Sequence, residues 1–243
     1  MGIIKRTYNF YFSKDREFVK RLKSTLGFVP SNLGLYKLAF YHKSGNFEKE
    51  SNYQSNERLE YLGDAILGTI VAEYLFKKYP NSDEGFLTKM RSKVVKRKSL
   101  NNIADGMGLD VLLSHYNSTQ LSNSMLGNSL EALIGAIYLE RGYRWSKQYV
   151  IRNILMKYVD IQKLETYDDN YKSQLLEYCQ KNGQSVNYEI INKYKQDKRD
   201  RFKVGVFVDG QQLATADDFN KKSAEQTASK RALKQIGVMI HAN

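Results

Sequence analysis

The sequence predicts an all-α unit followed by a small α+β unit of order α-β-β-β-α. Through about residue 158, apolar residues recur at three- and four-residue spacing in seven or so helical segments, and no stretch alternates as a strand would. After Asp160 the pattern changes. Residues 186–194 and 201–208 alternate in β-branched and aromatic side chains, 211–216 is a third short strand, and Asp209-Gly210 between the last two is a strong hairpin signal. The boundaries follow as an all-α unit over 1–163, a polar connector over 164–169 and an α+β unit over 170–243.

In chain order, residues 1–25 read as a basic lead-in, within which 15–26 forms a short packing helix with Phe18, Leu22 and Leu26 on one side. Residues 32–43 form a second helix carrying Leu33, Leu35, Leu38, Ala39 and Phe40, and the polar stretch 44–55 is a loop. A long central helix then runs from residue 56 until Pro80, which cannot extend it. Residues 83–98 form another helix that opens with acids at its positive end and closes with Lys93, Lys96, Arg97 and Lys98. That basic run is either a solvated face complementing the helix dipole or a phosphate contact. A helix over 100–107 ends at Gly106 and Gly108, a loop runs through Ser124, and helices follow over 127–140 and 145–158.

In the second unit, 170–182 is helical with Leu175, Leu176 and Cys179 inward. A final helix over 221–240 turns Ala224, Ala228, Leu233, Ile236 and Ile240 inward and Lys222, Gln226, Lys230 and Lys234 outward at i+4 spacing. Residues 170–243 hold 13 Lys and Arg against 8 acids, and Lys221 and Lys222 add side-chain charge to the helix N-terminus, where the pair could clamp phosphates.

The stretch 56–67, Asn-Glu-Arg-Leu-Glu-Tyr-Leu-Gly-Asp-Ala-Ile-Leu, organises the chain. Glu57, Glu60 and Asp64 share one helix face, while Leu59, Leu62, Ile66 and Ile70 fall on another. Three acids on a largely apolar helix repel one another and call for a positive partner. On the apolar helix over 127–140, Asn128 and Glu131 lie at i, i+3. If the two helices pack together, Glu60, Asp64, Asn128 and Glu131 form an all-oxygen cluster suited to Mg²⁺ or Mn²⁺ rather than zinc. The plain alternative is that these are solvated surface acids.

Composition narrows the partners. The 243 residues carry 38 Lys and Arg against 26 Asp and Glu, a net charge of +12, which favours nucleic acid or an anionic membrane surface. Cys179 is the single cysteine, and His42, His115 and His241 are scattered, so neither an intrachain disulfide nor a zinc spacing is present. The absence of an export signal and of thiol pairing fits a reducing cytoplasm. The membrane reading lacks a basic amphipathic helix with exposed aromatics.

The runs at 56–67 and 127–140 resemble the two signature motifs of ribonuclease III, the endonuclease family that cuts double-stranded RNA, with Asn128 standing where the family usually has Asp. The resemblance implies a metal site of Glu60, Asp64, position 128 and Glu131, with Asp64 and Glu131 catalytic. It makes Glu57 and Glu84 further acidic candidates, the latter near the site without certain metal contact. Tyr61 matches an aromatic knob that enters a socket on a partner in a symmetric homodimer, or else packs in the core. The run Asn-Lys-Lys-Ser-Ala-Glu-Gln at 220–226 resembles the double-stranded RNA-binding domain. By that resemblance Lys221, Lys222 and Lys230 hold phosphates while Ser173 and Glu177 face the minor groove. The loop 195–200 departs from that domain's usual one, with no histidine and several charges. The implied activity is Mg²⁺-dependent hydrolysis of duplex RNA to 5′-phosphate and 3′-hydroxyl ends, with Mn²⁺ able to substitute and ribosomal RNA precursors as the usual substrate. A non-catalytic RNA-binding dimer with a degenerate nuclease domain is the competing reading.

Overall fold

The computed structural model describes residues 2–41, 55–116, 123–166 and 170–238. They form two compact units dividing between Ile161 and Gln162. All of the loop expected over 44–55 except Ser55, together with His42 and Ile240, lies outside the described residues.

The first unit is wholly helical. The lead-in contains a helix that sequence reading missed, α1 (Gly2–Tyr11), which turns Ile3, Ile4, Tyr8 and Tyr11 to solvent. Tyr8 and Tyr11 are thus exposed aromatics on a helix that carries Lys5 and Arg6, and no described helix is long and apolar enough to cross a membrane. In α2 (Arg16–Leu26), Phe18, Val19, Leu22 and Leu26 are buried, and Gly27 ends the helix in the left-handed region at φ 76°. Helix α3 (Leu33–Ala39) is shorter than expected and buries Tyr36 and Ala39.

The central helix α4 (Glu57–Lys78) stops just before Pro80. Its buried line is Leu59, Gly63, Leu67, Ile70, Val71 and Leu75, whereas Leu62 and Ile66, expected inside, are half-buried. The reason is Gly63, which has no side chain to hold a neighbour away.

The break expected at residue 99, between helices over 83–98 and 100–107, falls earlier, at Lys96. Asp83 caps α5 (Glu84–Val95) by accepting the Phe86 N–H at 2.8 Å. Lys96 then turns extended (φ −62°, ψ 144°) and α6 (Arg97–Gly106) begins. A straight helix would set Val94 and Leu100 on different faces, since six residues rotate by about 600°; the turn lets both be buried. Arg97 and Lys98 therefore open a helix instead of closing one. The loop expected after Gly108 begins as α7 (Leu109–Tyr116), whose Leu109, Leu112 and Leu113 are buried at i, i+3, i+4.

The second long helix, α8 (Asn123–Tyr149), breaks at Gly142 (φ 73°, ψ 173°). It continues through a π-helical turn (Val150–Leu155) into α9 (Met156–Tyr158), and the connector expected over 164–169 is helical at its start, in α10 (Ile161–Thr166), which spans the division between the units. Just before the break, the Glu140 carboxylate accepts from Ser31 N–H at 2.5 Å, Asn32 N–H at 3.2 Å and Tyr36 O–H at 2.5 Å. Burial pushes this carboxyl up, but the hydrogen bonds from Ser31, Tyr36 and Asn32 outweigh it and hold it below its ordinary value. One acid thereby ties α8 to the start of α3.

Helices α4 and α8 meet backbone to backbone. A Cβ added at Gly63 would lie under 3.0 Å from the Glu131 carbonyl, and one at Gly135 under 3.0 Å from the Leu59 carbonyl. Each glycine thus sits against the turn preceding the other.

The second unit runs α11 (Tyr171–Lys181), β1 (Val186–Gln196), β2 (Arg199–Val208), β3 (Gln211–Asp218) and α12 (Lys221–Ile236). The sheet is antiparallel in the order β1-β2-β3. Asp209 and Gly210 make the expected turn at φ 47° and 79°. The stretch 195–200 is not a loop: Lys195 pairs with Asp200 and Gln196 with Arg199, leaving only Asp197 and Lys198 at positive φ, 50° and 62°, as the turn. Tyr171, Leu175, Cys179, Val206, Val208, Ala216, Ala228, Ala232 and Leu233 form the core, while Leu176, expected inside, is 42% exposed. Asn220 caps α12 through Ser223 N–H at 2.8 Å, and Gly237 at φ 81° ends it before the expected limit of residue 240.

Gly63→Ala should destabilise the helical unit by about 3 kcal/mol through overpacking. Gly68→Ala, where an added Cβ meets nothing within 4 Å, should be neutral or stabilising by up to about 1 kcal/mol. Denaturant midpoints of the two variants check this, and equal effects would refute the close crossing.

Candidate active site and RNA-binding surface

The crossing of α4 and α8 brings the acids together. Glu57, Glu60, Tyr61 and Asp64 from α4, Glu131 from α8 and Arg97 from α6 line one open depression. The first-turn position of Glu57 and Glu60 favours α4 locally, because carboxylates there complement the helix dipole. Asp64 follows one turn after Glu60 and faces the same way.

Four acids and one cation, Arg97, line this depression. Burial, then the fields of Asp64 and Glu60, push the half-buried Glu131 carboxyl up to about 7, and Arg97 opposes them only in part. Among the described residues, no three of these groups already form a closed set of cation ligands. The donor chemistry nonetheless fits a hard divalent ion, since the acids offer only oxygen, and burial with the fields of Asp64 and Glu60 drives Glu131 toward its neutral form.

The other sequence candidates divide. Asn128 lies one turn before Glu131 on α8, half-buried, and does not line the depression. Glu84 is not brought to the acids: it accepts from Thr88 Oγ1 at 3.0 Å and borders a different, largely apolar hollow with Phe76, Leu87 and Arg91. Tyr61 is 81% exposed, which removes the core-packing alternative. Arg97 is not signalled by the sequence, whose spacing places it among basic groups at the end of a helix.

In the second unit, Asn170, Lys172, Ser173 and Leu176 of the α11 end and Lys221, Lys222, Glu225 and Gln226 of the α12 end line a shared depression. The two helix starts are latched to each other. Gln226 Nε2 donates to Asn170 Oδ1 at 2.8 Å, Lys172 N–H donates to Gln226 Oε1 at 3.1 Å, and Lys172 Nζ pairs with Glu225 at 2.7 Å. Lys221 lies 3.8 Å from the other oxygen of Glu225, and Lys222 is exposed. Glu177 is exposed a turn further along α11, outside the depression, and Lys230 lies 5.0 Å over the Tyr171 ring.

Comparison with known proteins decides what this assembly belongs to. Residues 32–158 match the family described as Ribonuclease-III-like, and 171–236 match the double-stranded RNA binding motif. A Ribonuclease 3 of Zunongwangia profunda is 41% identical over 234 residues, spanning 96% of each chain. The chain belongs to the ribonuclease III family. A Ribonuclease 3 of Flavobacterium psychrophilum is 39% identical over 95% of each chain. The solved nuclease domain of ribonuclease III from Campylobacter jejuni shares 34% identity with a TM-score of 0.50, covering 58% of this chain and 98% of that one. The helical unit is thus a ribonuclease III nuclease domain, the α+β unit carries the double-stranded RNA binding motif, and the chain is a ribonuclease III-type endoribonuclease.

Glu131 sets a pH dependence. Its carboxyl ionises ordinarily near 4.5 but near 7 in the folded, metal-free chain, so the folded state favours the protonated form. That stabilisation is complete below the unfolded value and is lost as pH rises through the folded one. In chelator, Tm should therefore fall between about pH 5 and pH 8, Glu131→Gln should flatten the fall, and a divalent cation should reverse it. The same slope in the Gln variant would show that Glu131 is not the group responsible.

Proposed function

We propose that the chain hydrolyses phosphodiester bonds of duplex RNA as a homodimer, each protomer cutting one strand and leaving 5′-phosphate and 3′-hydroxyl ends. The observation that carries this is the depression in which Glu57, Glu60, Asp64 and Glu131 converge, with the Glu131 carboxyl pushed up by burial and by the fields of Asp64 and Glu60. Glu60, Asp64 and Glu131 would hold Mg²⁺, or Mn²⁺ in its place, and Asn128, one turn before Glu131 and outside the lining, would join them by turning its side chain toward the acids. When bound, the ion supplies a Lewis acid that makes a water more acidic and offsets charge on the scissile phosphate. Asp64, exposed at the mouth of the depression, accepts the proton of the attacking water at its carboxylate. Glu57 adds negative field at the rim. Water oxygen bonds to phosphorus as the bond to the 3′ oxygen breaks.

The α+β unit holds the duplex. Lys221 and Lys222 meet phosphates at the positive end of α12, while Ser173 and Glu177 face the minor groove. Lys230 takes a supporting part, its charge resting on Tyr171. Tyr61, exposed beside the acids, fits a partner's socket, and a twofold dimer supplies the second site. Ribonuclease III relatives and the absence of paired cysteines support a cytoplasmic enzyme acting on structured transcripts such as ribosomal RNA precursors.

Incubating the chain with a long RNA duplex, with and without Mg²⁺, tests the reading. Glu131→Ala should abolish cutting and leave duplex affinity within about twofold, whereas Lys221 and Lys222 changed together to Ala should weaken binding to all sequences alike and flatten the salt dependence by about two phosphate contacts. A Glu131→Ala chain that lost affinity along with activity would contradict this division of labour.

Asn128 favours the rival reading of a binding protein without activity, because a neutral amide replaces a charge. Three carboxylates remain, so wild type should cut with a raised Mg²⁺ requirement, and Asn128→Asp should lower the half-saturating Mg²⁺ concentration by about tenfold. If only Asn128→Asp cuts at any Mg²⁺ concentration, the binding reading is correct.

A further inference from the structure

A phosphodiester entering a depression lined by four carboxylates is repelled unless something positive receives it. Of the residues lining this depression, Arg97 is the one cation, and it is exposed. It acts on the Glu131 carboxyl from within electrostatic reach, yet no ion pair within 4.0 Å joins it to an acid among the described residues. Among the described residues, the guanidinium is thus not committed to a carboxylate.

Its place is built by packing. Arg97 and Asn101 lie at i, i+4 on α6 and share a face. Asn101 Oδ1 accepts the Gly127 N–H of α8 at 3.0 Å. A Cβ on Gly127 would meet Asn101 Oδ1 at 2.7 Å and Leu100 Cβ at 3.4 Å, so α6 touches α8 closely just before Asn128 and Glu131. The chain break at Lys96 puts Arg97 in the first turn of that anchored helix. A planar fork of donors, anchored through its helix and facing oxygen chemistry, matches a phosphate better than a single carboxylate oxygen.

We propose that Arg97 binds a phosphate of the strand being cut, at or next to the scissile bond, and holds it against the carboxylates. This rests on the nuclease reading above. It assigns to the nuclease domain a phosphate contact separate from Lys221 and Lys222, and to the active site a substrate ligand separate from any metal.

The test uses the full chain as wild type, Arg97→Ala and Arg97→Lys, with a defined RNA duplex and with duplexes carrying one neutral methylphosphonate at or beside the cut. At saturating duplex, Arg97→Ala should lower the single-turnover rate by about 10- to 100-fold, Arg97→Lys should retain part of it, and added guanidinium should restore part of the Ala variant's rate. In Ca²⁺, one methylphosphonate position should weaken wild-type binding while leaving Arg97→Ala binding unchanged, since the partner of that charge is already gone. Wild-type cutting by Arg97→Ala, or equal methylphosphonate penalties in both proteins at every position, overturns the assignment. A wild type inert at every Mg²⁺ concentration would overturn the nuclease reading instead, and the methylphosphonate comparison, being a binding measurement, would still decide Arg97.

Discussion

The close approach of α4 and α8 at Gly63 and Gly135 is the constraint on which the rest depends. The contact is reciprocal: Gly63 lies under the carbonyl of Glu131, and Gly135 under that of Leu59. Because Glu60 follows Leu59 and Asp64 follows Gly63, the acids stand one residue from a backbone contact that cannot slide without a clash. Side-chain packing alone would leave a softer register, since rotamers can adjust to a shifted helix. A glycine inside a helix disfavours it by about 1 kcal/mol relative to alanine, and here that loss is exchanged for a fixed distance between two charged surfaces.

The same crossing explains why the site is electrostatically strained while the domain is well packed. Leu67, Ile70, Val71 and Leu75 continue α4 into the core, and Leu130, Leu133, Ile134 and Ile137 do so on α8. Apolar burial along the remaining turns offsets repulsion among the carboxylates at one end. Glu131 feels both sides, half-buried among the core residues of α8 yet facing Asp64 and Glu60.

Features governed by local spacing were legible in the sequence, and those governed by approach were not. Glu57, Glu60 and Asp64 on one face of α4 follow from helical geometry, as does Glu131 on α8, and their meeting followed once the helices were paired. Gly63 was silent because periodicity records which side chains face inward, not how near a neighbour comes; a glycine amid strong helix formers was the available signal. Arg97 was hidden by the turn at Lys96, which contains neither Gly nor Pro and arises from the need to bury Val94 and Leu100 together. Glu84 rested on resemblance alone, and its place on α5 beside Phe76 and Leu87 sets it apart from the acids. In the second unit the alternation located all three strands, but Asp197 and Lys198 turn at positive φ without glycine, so a charged stretch passed for a loop.

That turn also changes what the tip of the hairpin is. A loop of six residues would have to be ordered whenever it met a surface, and fixing a backbone residue takes about 1–2 kcal/mol of conformational entropy. Here Lys195, Gln196, Arg199 and Asp200 are already fixed by pairing, so folding has met that requirement before any encounter. Lys193 is likewise tied, its ammonium 3.1 Å from Asp200 and 5.2 Å from the centre of the Phe202 ring. The end of β1 and the start of β2 form a stiff basic finger whose shape is decided in advance, and what it touches is selected by fit rather than by adaptation.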